Sequence, residues 1–340
     1  MKKPQSAKTF YKIYGILAVV TLVLAILSIA IGASRIHPFD VCKVLFYSLL
    51  GGDYKELVDA GQLMVIIQLR IPRILMALLT GINLAVTGAI YQALFKNDMA
   101  DPFMLGISSG ASLGAGIGFM LGGFSPLYAF LGALVANILV NTLAGTKGKT
   151  STIRLLLSGL AINYFFSAIL SLIRTYSDNK NLTLFAWGMG SLSGASYPRV
   201  LLLSLLTFPI LCCFFFYRKE LNLLLMGEDA AKAMGVDVLK LRKVFLILSS
   251  LLIATTVSFT GTIGFVGLII PHMVRLLFGA NYRKTLPITG LLGMIFVLCC
   301  DNLSRALLGS SEIPIGIITS LFGAPYFMYL IYKERKRSML

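Results

Sequence analysis

Charge is what this sequence has least of. Asp, Glu, Lys and Arg make up 13% of its 340 residues, where a soluble domain carries about 25%. A water-soluble globular fold is excluded. Histidine is almost absent, with two in the chain, and neither an H-E-x-x-H run nor a Cys/His cluster occurs, so a metal enzyme has no support. The five cysteines give no disulfide framework. Cys212–Cys213 and Cys299–Cys300 are adjacent pairs inside apolar runs, where Cys acts as a small hydrophobe, and Cys42 stands alone. Lys147-Gly-Lys-Thr150 looks like the end of a phosphate loop, but Leu143 stands where that loop needs glycine and no strand precedes it. Acidic residues lie in loops or near span ends, which counts against an ion-driven carrier. No clustered catalytic set favours a membrane-embedded enzyme.

What fills the chain instead is apolar sequence. Hydrophobic residues reach 57% and mean hydropathy is +0.85. Ten spans of about 20 residues fit: 14–34, 68–95, 103–122, 126–145, 154–174, 197–217, 243–260, 264–278, 287–308 and 313–332. The N-terminal run is too long for a signal peptide and no clean small-residue cleavage site follows it, so it reads as a retained first span. With the N-terminus inside, 21 of the 30 Lys and Arg fall on the inner side and 9 outside, while the 14 acids divide evenly. That is the positive-inside signature, an orientation signal rather than a nucleic-acid footprint. The expectation is an all-α membrane protein, one transmembrane domain over 1–340 with both termini inside.

Leu221–Lys243 is neither uniformly apolar nor merely a turn. Glu228 and Asp229 suit a helix start, and Gly235 can take the left-handed conformation that ends one. Asp237 can cap a second short helix, with Lys240, Arg242 and Lys243 towards its negative end. Two short amphipathic helices joined at a glycine could be gripped by a soluble partner, or be an ordinary solvated loop.

Elsewhere, polar and small residues recur every fourth position. Asn83, Thr87 and Tyr91 form one stripe, and Asn163, Ser167 and Ser171 continue another from Gly159. Such stripes either join helices or line a wet path. Gly106, Gly110, Gly114, Gly118 and Gly122 make a ridge without side chains, a close-packing device. Residues 35–63 are expected to form a short interfacial helix plus turn. Arg70 and Arg73 stand at the mouth of the second span, where they could snorkel to headgroups. Asp301 and Arg305 are four apart and could pair locally or offer charge outside. Glycines and prolines break the apolar runs at 261–275 and 312–326. Breaks of this kind are tolerated in lipid only where protein or a wet cavity satisfies the backbone.

The stretches LRIPR (69–73), GAIYQALFKNDMADPFMLGISSGA (88–111), WGMGSLSG (187–194), LNLLLMGEDAAKAMGV (221–236), GTIGFVGLIIPHMVR (261–275) and EIPIGIITSLFGAPYF (312–327) occur in this order. In them the chain resembles the permease subunits of type II ABC importers for iron-siderophores, haem and cobalamin. The resemblance implies a twenty-span dimer of two copies in a bacterial inner membrane. Two cytoplasmic ATPase subunits would hold ATP and Mg, and an external substrate-binding protein would deliver the solute. It implies coupling helices in which Met226, Gly227, Glu228, Ala231, Met234, Gly235 and Val236 meet the ATPase. Arg70, Arg73 and Arg305 would be docking arginines. Asn83, Thr87, Tyr91, Asn163, Ser167 and Ser171 would line the path. Asn97, Met99, Thr152 and Ile153 would form the inner gate. The sequence departs from the cobalamin-type pattern where Asp98 replaces a proline and Ile153 a serine. The resemblance implies an iron chelate as solute, with cobalamin or an oxyanion as the alternative.

Overall fold

The computed structural model describes residues 7–32, 36–37, 39–41, 43–44, 46, 59–123, 125–146, 149–150, 152–176, 181–308 and 311–338. Most of the expected interfacial helix at 35–63, and Cys42, lie outside them. Helix α1 spans Ala7–Ala30. A short helix, Ala60–Met64, and a π-helical turn, Val65–Arg70, run straight into α2, Ile71–Phe95. There follow α3 (Ile107–Leu121), α4 (Ser125–Ala144), α5 (Thr152–Thr175), α6 (Asn181–Gly188) and α7 (Tyr197–Phe216). Two short helices, α8 (Arg218–Leu225) and α9 (Glu228–Ala233), precede α10 (Val238–Thr260). The chain ends with α11 (Val266–Phe278), α12 (Tyr282–Ala306) and α13 (Ile315–Ser338). Gly145–Thr146 pairs with Lys149–Thr150 in a two-residue antiparallel ladder.

Among the described residues eight helices are long and apolar enough to cross a bilayer, and α3 and α11 are shorter apolar helices, which together match the ten expected spans. The 13 residues of α11 rise roughly 20 Å, well short of the hydrocarbon thickness of about 30 Å. The break before α11 therefore lies at membrane depth.

Helix α2 is the axis of the bundle. Most of its residues are buried, and it packs against α7, α10, α11 and α12. Glycines set the approach distances. A Cβ on Gly88 would stand 1.9 Å from the Gly267 carbonyl oxygen, and one on Gly81 would stand 2.4 Å from that of Gly293. The glycine ridge behaves as expected. A Cβ at Gly110 would meet Gly132 O at 2.4 Å and one at Gly114 would meet Tyr128 O at 2.0 Å, so α3 and α4 touch backbone to backbone.

Polar contacts join the same helices. The Asn83 amide donates to Thr207 Oγ1 at 2.9 Å on α7 and to Thr256 Oγ1 at 3.1 Å on α10. The Tyr91 hydroxyl lies 3.3 Å from Ser250 Oγ. Asn83, Thr87 and Tyr91 are all 0% exposed. The stripe faces neighbouring helices of the same chain and joins them.

Candidate functional site: a broken-helix cavity, an ion cluster and a basic-face elbow

Three chain breaks meet beside α11. Ser191 N–H donates to Thr260 O at 2.7 Å, Ile315 N–H to Gly190 O at 3.1 Å and Gly316 N–H to Met189 O at 3.0 Å. The Thr262 hydroxyl donates to Gly188 O. Backbone groups freed where α6, α10 and α13 are interrupted thus satisfy one another, as lipid requires. A cavity of about 720 Å³ opens here, walled by Phe103, Met189, Phe265, Ile317 and Leu321, with Asp101 and Ser108 as polar points. Phe265 is a non-glycine residue with φ +68°, an uncommon conformation for an aromatic side chain. Its ring occupies the space a side chain at Gly323 would fill. Asp101 accepts from Phe103 N–H at 2.9 Å and so caps the turn Pro102–Leu105 that carries the opposite wall. The glycine-rich breaks were legible in the sequence, whereas the roles of Asp101 and Phe265 were not.

None of the six expected path residues lines this cavity. Asn163 accepts from Ser109 Oγ at 2.6 Å and thereby ties α5 to α3. Ser167 and Ser171 lie on the exposed face of α5. Among the described residues no three His, Cys, Asp or Glu side chains converge as a metal site requires.

At the opposite end from the basic face, α1, α2 and α12 meet in an ion cluster. Asp301, 0% exposed, takes Arg73 Nε and Nη2, each at 2.9 Å, and Arg305 Nε at 3.0 Å. Arg73 Nη1 also reaches Glu312 at 2.7 Å. Arg305 donates to the carbonyls of Ser28 at 3.1 Å and Ile31 at 2.6 Å, and Arg70 to that of Ile29 at 2.5 Å. Ser28 and Ile29 belong to the last turn of α1 and Ile31 follows it, so these carbonyls lack helical partners and sit at the negative end of the helix. Arg70, Arg73 and Arg305 are 5%, 8% and 5% exposed and engaged within the chain. The half-exposed member of the cluster is Glu312.

The basic face carries the elbow. Helix α9 begins at Glu228, Gly235 has φ +83°, and the Asp237 carboxylate caps α10 by accepting from Lys240 N–H at 3.0 Å. These follow the local sequence rules, but the second helix is not short: α10 continues unbroken into the membrane. Glu228 meets Arg242 at 2.6 Å, a bond that holds its carboxyl below the usual range. The same guanidinium donates to Leu94 O at 3.3 Å, on the last turn of α2. Met226 and Met234 are 71% and 50% exposed, while Ala231 is fully buried and Val236 half-buried. Ala231 anchors α9 against the rest of the chain. Gly227 has φ +124° and open space around it.

The turn after α2 is bonded to α11. Asp98 pairs with Arg275 at 2.9 Å, and Arg275 also donates to Gln92 Oε1 at 2.9 Å. Asn97 accepts from Met99 N–H at 2.9 Å and is half-buried like Met99. Thr152 begins α5 and Ile153 is 69% exposed beside it.

Comparison with known proteins agrees with this architecture. The model of the FecCD transport family matches residues 20–333. The hemin transport system permease protein HmuU of Yersinia pestis is 38% identical, with 80% of this chain and 84% of that protein covered. The cobalamin import system permease protein BtuC of Halobacterium salinarum is also 38% identical, covering 80% and 74%. A solved inward-facing ABC transporter structure superposes with a TM-score of 0.82 at 33% identity, covering 95% of this chain and 99% of that one. The ten-span bundle, its mid-membrane breaks and these matches together place the chain in the FecCD transport family, as a multi-pass permease of the ABC importer class.

Proposed function

We propose that the chain is the membrane subunit of an ATP-driven importer for an iron chelate, an iron-siderophore or haem. Two copies would enclose the path, and two separate cytoplasmic ATPase subunits carrying ATP and Mg would drive it. A binding protein outside the bacterial inner membrane would deliver the solute. The observation that carries the reading is the elbow. Met226 and Met234 stand exposed on the basic face, outside the spans, on a segment pinned by the Glu228–Arg242 pair. Exposed methionine is an adaptable apolar contact, suited to a cleft in a motor subunit.

Arg70, Arg73 and Arg305 mark the end of the bundle where a docking protein would engage, with the half-exposed Glu312 offering an acceptor to its cations. Asn97, Met99, Thr152 and Ile153 would close the inner end of the path, and Ser167 and Ser171 would face it from α5. Hydrolysis would shift the bundle between outward and inward openings, by as much as nucleotide states differ in affinity for the two. The cavity's apolar walls and few charges fit a large chelate held weakly. The cobalamin relative of equal identity sustains a second reading of the solute.

Gly235→Pro is the direct test. Its N–H donates to Lys232 O at 2.9 Å and its φ is positive, and proline permits neither. The variant is expected to insert normally yet lose the co-purifying nucleotide-binding subunit; unchanged association would refute the coupling role. Uptake of radioiron chelate, competed by unlabelled chelate and not by cobalamin, is the expected solute result. Uptake by the chain alone, abolished by an uncoupler, would overturn the class of mechanism.

A further inference from the structure

A second concavity, of about 370 Å³, opens on the basic face away from the elbow, where α1 crosses the start of α12. Helix α1 supplies Phe10, Tyr11 and Tyr14, the α7–α8 junction supplies Arg218, and the first turn of α12 supplies Arg283 and Lys284. The wall is held in place rather than loosely apposed. The Tyr14 hydroxyl donates to Lys284 O at 2.9 Å, and Lys284 Nζ lies 4.7 Å above the Phe10 ring. Tyr11 stands edge-on to Tyr14 and is 72% exposed at the rim.

Three cations share this space, and among the described residues no acidic side chain lines it. Among the described residues none of the three forms an ion pair with a carboxylate. Glu220, two residues from Arg218, lines a different groove beside α9 and α10. Like charges gathered without a counterion call for an anion.

Depth and flanks say which kind. Arg218 follows the last turn of α7, and Arg283 is the second residue of α12. The cations therefore sit where spans leave the hydrocarbon, in the zone tyrosine favours. From Tyr11 at the rim, Gly15, Ala18 and Leu22 continue along the same exposed face of α1, four, seven and eleven residues on, with Leu22 62% exposed. A phosphate with acyl chains would place its anion among the cations and its tails along that face.

We propose that this concavity binds the phosphate headgroup of an anionic phospholipid of the adjoining leaflet. Basic pockets between helices on this side of a membrane are suited to such headgroups. The site is separate from the solute cavity and from the elbow, and its occupancy does not depend on what the protein transports.

The test is native mass spectrometry of the purified full chain in detergent with phosphatidylglycerol, phosphatidylcholine or inorganic phosphate added. Phosphatidylglycerol is expected to be retained several-fold more than phosphatidylcholine, and excess inorganic phosphate is expected not to displace it. The double variant Arg283→Gln with Lys284→Gln should fall to the phosphatidylcholine level, whereas Lys43→Gln, a cation outside the concavity, should not. If the double variant does not fold, Arg218→Gln alone carries the same expectation. Equal retention of the two lipids, or retention unchanged by these substitutions, would overturn the proposal. Displacement by inorganic phosphate would also overturn it, making the site one for the free ion.

Discussion

At the scale of single residues, the ion cluster shows how the partners of a charge decide its worth. Asp301 has no exposure and pairs with two guanidiniums, whereas the Glu312 side chain is 46% exposed. Removing one member of a buried pair leaves the other desolvated and uncompensated, at a cost of about 3–5 kcal/mol. Loss of an exposed pair costs about 0–1 kcal/mol. Asp301→Asn is therefore expected to lower the thermal midpoint of the detergent-purified protein strongly, and Glu312→Gln only slightly. Equal shifts would show that Arg73 depends on both carboxylates alike. The inward roles of Arg70 and Arg305 were hidden in the sequence because their acceptors at and just past the end of α1 lie 41 residues away from Arg70 and 274 and 277 residues away from Arg305. Periodicity reports which side of its own helix a residue occupies. It is silent on which helix end will need a cap.

Between elements, the bundle is held by backbone contact as much as by side chains. Gly88 and Gly267 place α2 and α11 so close that a methyl group at Gly88 would overlap a carbonyl oxygen. Gly88→Ala must push the helices apart, and overpacking of this kind costs about 1–3 kcal/mol. Gly264→Ala, with open space around its Cβ position, should be tolerated at the same depth. Thermal unfolding of the two variants checks the contrast. Much at this scale was legible. Apolar runs bounded by charge located ten spans, including α3 and α11, and the elbow's caps at Glu228, Gly235 and Asp237 follow from neighbours within a few residues. The two polar stripes were not separable. Asn83 and Ser167 recur with the same spacing, but α2 is enclosed by four helices while α5 keeps an open face. That difference is tertiary, and four-residue spacing does not carry it.

Across the whole molecule, two arginines grip the inner end of α2 from different elements. Arg242, at the start of α10, joins Glu228 of the elbow to Leu94 O. Arg275, on α11, joins Gln92 of α2 to Asp98 in the following turn. The elbow and the turn that leads to Asp101 and the cavity are thus connected through one helix end, which bears the negative pole of α2 and favours both cations. Displacement of α9 would reach the cavity along this route, because a packed helix shifts as a unit. Asp98 stands where the cobalamin-type pattern has proline, and it supplies the carboxylate of the second grip. Asp98→Asn removes the charge of that contact and leaves the elbow intact. In proteoliposomes with the ATPase subunit, it is expected to preserve association and nucleotide hydrolysis while reducing the solute moved per ATP. Glu228→Gln, which weakens the first grip, should reduce hydrolysis and uptake together. If Asp98→Asn left the ratio of solute to ATP unchanged, the turn would be a passive connector and coupling would have to run through α10 alone.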